Sequence, residues 1–366
     1  TQTTCQSGAT EKYKCENNPG YNDDGSCASG YGKNGSGACV IKGADIYGTK
    51  NGDDINIENT EYADVYGIYT TTDGHNSEGQ DFSTISISNK SDGDVHGVAS
   101  AGNDATVTNA YDSSTGKITI NNTGNGNVYG LKANTASNAD DGTGGAHTEG
   151  TINITNHGNG NIYGVYAQTD ALNTMSRADA VTTAGNIQIF NSGNGNLYGV
   201  YGNTATNANL NNPIDGTGRV YASIHINNSG SGKSYGLYAT DTAQSISNTT
   251  VKNITQNSSI TMENYDPSGI AYGIYADKSK NITDAATQAT SLIEMANVDV
   301  GTIIGMYGKT LAENSGTIKL HNLDGGTAIG MYIDGGTATN SGSIIIDRKE
   351  HNETDIVTGG GETLSP

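Results

Sequence analysis

The sequence predicts an all-β fold in which short strands stack as a parallel β-solenoid, and three observations support this prediction. Isoleucine outnumbers leucine by 33 to 10 and tyrosine outnumbers phenylalanine by 21 to 2, a bias that favours strands over helices. The 366 residues include 52 glycines, which indicates many turns. A pattern of alternating isoleucines and a Tyr-Gly-aliphatic pattern recur along most of the chain, as in proteins built from stacked repeats.

Each repeat opens with a strand in which two aliphatic residues alternate with polar ones. Alternation places both aliphatic side chains on one face. Stacking of successive copies at ~4.8 Å buries that face in ladders of like residues, so about ten copies predict a rod of about ten rungs, roughly 48 Å long. The second aliphatic residue of the first six copies is Ile57, Ile87, Ile120, Ile154, Ile189 and Ile226.

An asparagine follows two residues later, on the same face, where the chain has to turn. Its side-chain amide is expected to bond to the asparagines above and below in an internal ladder, and asparagine also tolerates the backbone of tight turns. In the tenth copy Arg348 stands at this position, which predicts the last rung or the start of a cap. The ladder positions of the first six copies are Asn59, Asn89, Asn122, Asn156, Asn191 and Asn228.

The second strand of each repeat is centred on a glycine followed by an aliphatic residue, which we assign to the core. The tyrosine before the glycine has the parity of that aliphatic residue, so a ladder of mostly aromatic rings is expected beside it, although the sequence alone leaves open which parity faces inward near a glycine. The tyrosine two residues after the glycine predicts a surface stripe, broken by Ala99 and Lys132. The inner positions are Tyr66, Tyr129, Tyr163, Tyr198, Tyr235 and Tyr272.

The remaining part of each repeat varies in length and is interpreted as loops. The longest are segments 134–150, 168–185, 203–222 and 240–258, which are rich in Thr, Ala, Asn and Asp. Insertions in a solenoid collect on one face, often the face that meets partners. The predicted solenoid spans residues 44–350 and is followed by a polar tail at 351–366.

The N-terminal segment 1–43 contains all the cysteines, spaced 10, 12 and 12 residues apart. This spacing predicts two disulfides in a small loop-rich module, with three connectivities open; the absence of a Cys-x-x-Cys pair argues against zinc. Such a module would cap the first rung and shield its edge from foreign strands. A binding module like epidermal growth factor is the alternative. The cysteines are Cys5, Cys15, Cys27 and Cys39.

Charge and hydropathy exclude two classes of partner. Eighteen basic residues stand against 38 acidic ones, for a net charge of −20, and no basic cluster offers the electrostatic footprint of a nucleic-acid-binding protein. No apolar run approaches the ~18 residues of a membrane helix, so no direct membrane insertion is expected. The chain begins at Thr1 without a basic or apolar leader, which predicts an exported protein with a processed N-terminus.

No motif predicts catalysis or a cofactor. Asn22–Gly25, Asp53 with Asp54 and Asp140 with Asp141 loosely suggest Ca²⁺, but no Asp-x-Asp-x-Asp-Gly loop is present and ordinary turn acids are favoured. The chain lacks Gly-Asp-Ser-Gly and His-Glu-x-x-His, and Gly-x-Ser-x-Gly occurs once, at 232–236, where it overlaps a Tyr-Gly repeat, so we predict a non-enzymatic protein. A polysaccharide-degrading enzyme is the third interpretation, and it would need converging carboxylates from neighbouring rungs.

Two phrases near the C-terminal end suggest a family. Ala-Glu-Asn-Ser-Gly-Thr-Ile at 312–318 and Ala-Thr-Asn-Ser-Gly-Ser-Ile at 338–344 resemble repeats of bacterial autotransporter passenger domains and filamentous-haemagglutinin-like adhesins. The resemblance covers roughly 44–347 and implies a right-handed parallel β-helix, secreted or displayed on the bacterial outer membrane. It implies adhesion, aggregation or biofilm formation, with surface glycans, surface proteins or copies of the chain itself as partners.

The sequence departs from this family in two ways. It reaches Pro366 without the C-terminal translocator barrel of such proteins, and it begins with a cysteine module that most passengers lack. Either the barrel was cleaved or omitted, or the chain is a separately secreted structural subunit of an extracellular filament or surface layer, which is the second interpretation. Such a subunit would assemble head to tail through the ends of the solenoid, since a contact that does not close produces an open fibre.

Overall fold

The computed structural model describes residues 31–33, 39–41, 54–60, 64–79, 82–140, 147–176, 182–207, 209–210, 219–247, 255–283, 290–323 and 325–348. These residues form an all-β parallel solenoid of about six turns, and no helix occurs among them. The predicted fold class, a parallel β-solenoid built from repeats, is confirmed at this level.

The strands follow one another along the chain with short connections. In chain order they are β1 (Tyr31–Lys33), β2 (Cys39–Ile41), β3 (Ile55–Asn59), β4 (Val65–Thr70), β5 (Gly74–Glu78), β6 (Phe82–Asn89), β7 (Val95–Ser100), β8 (Thr106–Tyr111), β9 (Thr115–Asn122), β10 (Val128–Ala133), β11 (Thr135–Asp140), β12 (Thr148–Asn156), β13 (Ile162–Ala167), β14 (Asp170–Ser176), β15 (Thr182–Asn191), β16 (Leu197–Asn207), β17 (Asn209–Leu210), β18 (Arg219–Asn228), β19 (Ser234–Ser247), β20 (Thr255–Asn264), β21 (Ile270–Thr283), β22 (Thr290–Asn297), β23 (Thr302–Asn314), β24 (Thr317–Asn322), β25 (Thr327–Ile333), β26 (Thr337–Asn340) and β27 (Ser343–Arg348).

Two parallel sheets build the solenoid. The ten-stranded sheet contains the Ile-x-Ile strands in the order β27-β24-β22-β20-β18-β15-β12-β9-β6-β3. The fifteen-stranded sheet contains the Tyr-Gly strands along the path β25-β23-β21-β19-β16-β13-β10-β7-β4, with β5, β8, β11, β14, β17 and β26 paired beside this path. Pairing is in register from one repeat to the next, so that Ile118, Ile152 and Ile187 lie directly opposite one another.

The core is a single column of aliphatic side chains between the sheets. Both isoleucines of β12, Ile152 and Ile154, are fully buried, and the equivalent residues of neighbouring strands behave in the same way. Across from them lie aliphatic residues of the Tyr-Gly strands, such as Val165 after the glycine of β13. The predicted core roles of the Ile-x-Ile pairs and of the residue after each glycine therefore agree with the observed burial.

The repeated glycine is required because the two sheets approach each other closely at that point. A Cβ atom built on Gly164 would lie 2.6 Å from Cγ2 of Ile187 and 2.6 Å from the carbonyl oxygen of Gly199. Each glycine of the series meets an isoleucine of the following Ile-x-Ile strand in the same way. The series is Gly67, Gly97, Gly130, Gly164, Gly199, Gly236, Gly273, Gly305 and Gly330.

The sequence left open which parity faces inward near a glycine, and in the structure the tyrosine before the glycine is not part of the core cluster. In β13 both Ile162 and Val165 are buried in the core, although they are an odd number of positions apart, whereas Tyr163 and Tyr166 are partly exposed. Strict alternation fails because the chain turns a corner at Gly164, which lacks a side chain and lets two consecutive residues face inward. The tyrosines therefore lie on the outer surface, over the corner.

The assignment of the variable segments to loops is also wrong in part, because each of them contains a third strand. Segment 134–150 includes β11 and the start of β12, and segment 168–185 includes β14 and the start of β15. In the next two segments, β16 continues to Asn207 and β19 to Ser247. These strands have small residues such as Ala136 and Ala171 in the core, so their sequences lack the alternation of large aliphatic residues.

The ends of the predicted organisation are described only in part. The tenth copy is a strand, because β27 pairs with β24 in register and Arg348 lies opposite Asn322. Several connections, such as 177–181 and 248–254, lie outside the described residues, so ten complete rungs stay a prediction. Cys5, Cys15, Cys27 and the tail 351–366 also lie outside them. Cys39 is the first residue of β2, which pairs antiparallel with β1.

The glycine contact predicts a large cost for adding one methyl group. We expect Gly164→Ala to lower the free energy of unfolding by about 1–3 kcal/mol, because neither the Gly199 carbonyl nor the packed Ile187 side chain has room to yield. The urea midpoint of the far-ultraviolet circular dichroism signal measures the effect.

Thr155→Ala is the matched control, since it changes a partly exposed side chain on the outer face of β12. Its free energy of unfolding is expected to stay within about 0.5 kcal/mol of that of the parent, as for most surface substitutions. Equal midpoints for the two variants would contradict the close approach of the sheets at the glycine.

Candidate functional surface: asparagine ladders and tyrosine rows

A ladder of buried asparagines follows the end of the ten-stranded sheet. The Nδ2 group of Asn89 donates to Oδ1 of Asn122 at 2.7 Å, and Asn122 donates in turn to Asn156 at 2.7 Å. The same contact joins Asn59 to Asn89 at 2.8 Å and continues through Asn191. The asparagines from 89 to 228 are at most 3% exposed, so these amides are bonded rather than solvated, as buried polar groups have to be.

Each ladder asparagine also holds the turn that follows it. The second Nδ2 proton of Asn122 is donated to the carbonyl oxygen of Gly124 at 2.8 Å, and Asn156 contacts Gly158 in the same way at 2.7 Å. The position therefore needs two donors and one acceptor on a short side chain, which asparagine supplies. This explains why an amide stands where the chain leaves the sheet.

The ladder has one gap, at the turn from β20 to β21. Asn228 donates to the carbonyl of Gly232 at 2.9 Å, and the buried Oδ1 of Asn264 has no hydrogen-bond partner. From Asn264 the ladder resumes to Asn297 at 3.0 Å. At this point Tyr-Asp-Pro-Ser (265–268) replaces the glycine-rich turn of the earlier repeats.

A second asparagine ladder lies along the third strands of the repeats, and the sequence analysis missed it. Asn109 donates to Asn138 at 2.9 Å and Asn138 to Asn173 at 3.0 Å, with Asn76 and Asn207 at the two ends. Further along, Asn281, Asn314 and Asn340 form the same contacts. The available signal was a small residue two positions before these asparagines, as in the Ala-Glu-Asn and Ala-Thr-Asn phrases of the last repeats; Asn109, which follows Val107, is the exception.

The tyrosines before the glycines form a stacked inner row on the surface. Tyr129, Tyr163 and Tyr198 stack with ring centroids 4.9 and 4.8 Å apart and planes within 4° of parallel. His96 takes the place of one tyrosine and stacks between Tyr66 and Tyr129. Burial against neighbouring rings raises the pKa of Tyr198 to about 12, so these phenols are protonated at neutral pH.

An outer row of tyrosines runs beside the inner row. Its rings stack from one turn to the next at 4.4–5.3 Å, and all but Tyr332 lie edge-on to a ring of the inner row, as Tyr166 does to Tyr163 at 5.3 Å. Where the row is broken, Lys132 instead places Nζ 4.2 Å from the ring centroid of Tyr129. The members are Tyr166, Tyr201, Tyr238, Tyr275, Tyr307 and Tyr332.

This stacking determines what the surface offers to a ligand. Ring faces within the outer row cover one another, so ring edges and hydroxyl groups are what project outward along the rod. A flat sugar or aromatic ligand therefore has little free ring face to stack on, whereas hydrogen-bonding partners meet the same group at every turn. The arrangement suits repeated weak polar and edge contacts.

Groups suited to catalysis or metal binding are sparse. His321 Nε2 lies 3.1 Å from Glu294 Oε1, and His321 Nδ1 lies 3.5 Å from Asp347 Oδ2, so both ring nitrogens face carboxylates. In the described parts of the chain, no three His, Cys, Asp or Glu side chains are arranged to hold a metal ion. Two of the acidic residues considered for Ca²⁺ are described: Asp54 is exposed and Asp140 is buried. The others, at 22–25, 53 and 141, lie outside the described residues.

Comparisons with known proteins add no identification. No family model matches the chain, and neither the curated proteins nor the solved structures include a significant match. Within the described ranges, no helix has the length and hydrophobicity needed to span a membrane.

The buried ladder predicts a cost for Asn156→Ala. The substitution removes the Asn156 acceptor of the Asn122 amide and one of the donors to Asn191 Oδ1, as well as the bond to the Gly158 carbonyl, so we expect a loss of about 3 kcal/mol in the free energy of unfolding. Asn159→Ala is the matched control, because Asn159 lies in the same turn but its amide bond to Asn125 is exposed. Similar urea midpoints for both variants would contradict the role of the buried ladder.

The stacked His96 predicts a pH-dependent stability. Burial, and secondarily the charge of Lys132, lower the pKa of His96 well below its usual value, whereas an unfolded imidazole titrates near ~6.5. The unfolded state then binds more protons, so stability is full above about pH 6.5 and falls at lower pH by up to about 1.4 kcal/mol per unit.

Urea midpoints measured on either side of that pH test the effect. The His96→Phe variant keeps a stacking ring and is expected to show a weaker loss of stability on acidification than the parent. His157→Gln, at an exposed turn position, is expected to leave the pH dependence unchanged. An identical pH dependence in the parent and in His96→Phe would overturn the assignment.

Proposed function

We propose that this protein is a non-enzymatic adhesin, secreted or displayed on a bacterial surface, that mediates adhesion or cell-to-cell aggregation. The observation that carries the proposal is the outer tyrosine row, which repeats one exposed group along the solenoid. Repetition supports adhesion because many weak contacts made together bind far more tightly than any one of them.

The proposed partners are surface glycans, surface proteins or other copies of the chain. A net charge of −20 disfavours contact between two acidic copies over most of their surface. The outer row contains no charged residue from Tyr166 to Tyr332, so contact between copies along it avoids direct repulsion between acidic side chains. Self-association along this row is therefore our preferred mode of aggregation.

The finer features belong to the same proposal. We infer a right-handed β-helix of about ten rungs with a disulfide-linked N-terminal cap, of the autotransporter passenger type. The repeat phrases at 312–318 and 338–344 support this class, and the stacked aliphatic core is compatible with it. Biofilm formation and an outer-membrane location follow from the class and are part of the same proposal.

A second candidate is a subunit of an extracellular filament or surface layer. It is favoured by the C-terminal end of the core, where Met331 and Ile346 are only partly buried. Among the described strands, β27 pairs only with β24 and β25 only with β23. A strand edge that is unpaired among the described residues, beside partly exposed aliphatic side chains, is a template for pairing with another chain.

Bead aggregation tests the adhesin proposal. We expect beads coated with the full chain to clump, and soluble chain to disperse the clumps by competition. The Tyr201→Lys/Tyr238→Lys variant should clump much less, since it charges the outer row with a residue that the row already tolerates at Lys132. Thr119→Lys/Thr155→Lys adds the same charge to the outer face of the ten-stranded sheet and should clump like the parent.

The outcomes separate the candidates. Beads that stay dispersed and also fail to bind bacterial or host cells would contradict the adhesin proposal. Equal clumping of the two lysine variants would show that the outer row does not mediate the aggregation. Electron microscopy of the soluble chain addresses the second candidate: single rods support the adhesin, whereas long fibres with an axial repeat of one subunit support the filament.

A further inference from the structure

The outer row contains one pair of tyrosines that is closer than any other ring pair of the described chain. Tyr275 and Tyr307 stack with centroids 4.4 Å apart and planes 6° from parallel. Tyr332 follows at 5.3 Å and 12°. Strands β21, β23 and β25 place these three residues directly opposite one another, so the paired backbones hold the rings together.

These rings are accessible, unlike the aliphatic core beneath them. Tyr332 is 45% exposed, and Tyr275 and Tyr307 are partly exposed at the same edge. An oxidant in solution therefore has access to the row at its C-terminal end. The inner row is more enclosed, since Tyr129 and Tyr235 are each only 8% exposed.

A carboxylate is positioned to take the phenolic proton of Tyr307. The Tyr307 hydroxyl donates to Oδ2 of Asp334 at 3.3 Å. Burial and the adjacent Tyr275 raise the pKa of Tyr307 to about 12, so at neutral pH the phenol has to lose its proton as it loses an electron. Asp334 supplies the acceptor for that proton at the point of oxidation.

We propose that Tyr275 and Tyr307, with Tyr332 beyond them, form an oxidative cross-linking site at which a haem peroxidase and hydrogen peroxide join successive turns by a dityrosine bond. This modification is independent of the adhesin proposal. It would tie β21 to β23 covalently near the C-terminal end, where the core is less completely buried.

The chemistry balances without any group from the protein being consumed. Each phenol loses one electron to the peroxidase and one proton, that of Tyr307 passing to Asp334, to leave two neutral phenoxyl radicals. The radicals form a carbon–carbon bond between ring positions next to the oxygens, and the hydrogen on each bonded carbon moves to its oxygen. In total, two phenols and one hydrogen peroxide yield one dityrosine and two waters, with the peroxide reduced.

The register explains why coupling should occur within one chain. Strands in a sheet lie ~4.8 Å apart, and the two rings already face each other, so coupling needs side-chain tilting but no change in strand pairing. Holding two reactants in place replaces an encounter between molecules. At low protein concentration the intramolecular bond should therefore form before bonds between chains.

The test treats the full chain, at low concentration, with a haem peroxidase and hydrogen peroxide. We expect dityrosine fluorescence in the monomer fraction. Mass spectrometry should then identify a joined pair of peptides that contains Tyr275 and Tyr307 and is lighter by two hydrogens. Tyr307→Phe should abolish this peptide pair and lower the dityrosine yield in monomers, because only the more widely spaced pairs of the outer row then remain.

Two further variants make the result specific. Tyr163→Phe removes a stacked tyrosine of the inner row and should leave the yield unchanged. Asp334→Asn should slow the initial rate of coupling while the urea midpoint stays that of the parent, which separates proton acceptance from structural damage. Cross-links found only between chains, or an unchanged monomer yield in Tyr307→Phe, would overturn the proposal.

Discussion

The narrow spacing between the two sheets is the constraint on which the rest of the structure depends. Each repeated glycine meets the Cγ2 methyl group of an isoleucine in the following Ile-x-Ile strand, as Gly164 meets Ile187. The contact joins the second strand of one repeat to the first strand of the next, so it sets the rise between turns as well as the width of the core. Any side chain at the glycine would force the sheets apart or shift the register.

Because the register is fixed, equivalent residues of successive repeats stack in ladders. These ladders have different roles inside the solenoid and on its outer surface. Inside, Asn122 and Asn156 bond to each other and to their own turns, which satisfies polar groups at a position closed to water. Outside, the same register stacks Tyr166 on Tyr201 at 5.1 Å. The outer surface thus inherits its regularity from the core, and a multivalent surface arises without any feature devoted to one ligand.

Irregularities in the ladders mark where the chain differs along its length. The buried Oδ1 atom of Asn264 accepts no hydrogen bond from a ladder asparagine, and His96 replaces a tyrosine in the inner row. Near the C-terminal end, the outer row gains a carboxylate neighbour at Asp334. The repeated scaffold therefore supports a few positions with chemistry of their own, because outward side chains vary without disturbing the contact between glycine and isoleucine.

The sequence by itself determined the parallel β-solenoid, the core role of residues such as Ile154 and the placement of Asn156 at the turn. Large aliphatic residues in strict alternation, repeated along the chain, leave few other ways to be buried. Only the tertiary structure decided that Tyr163 faces outward, that a third strand exists and that Asn138 belongs to a second ladder. Alternation breaks at a glycine corner, and strands whose core residues are alanine carry no hydrophobic period, so both features depend on how the sheets meet.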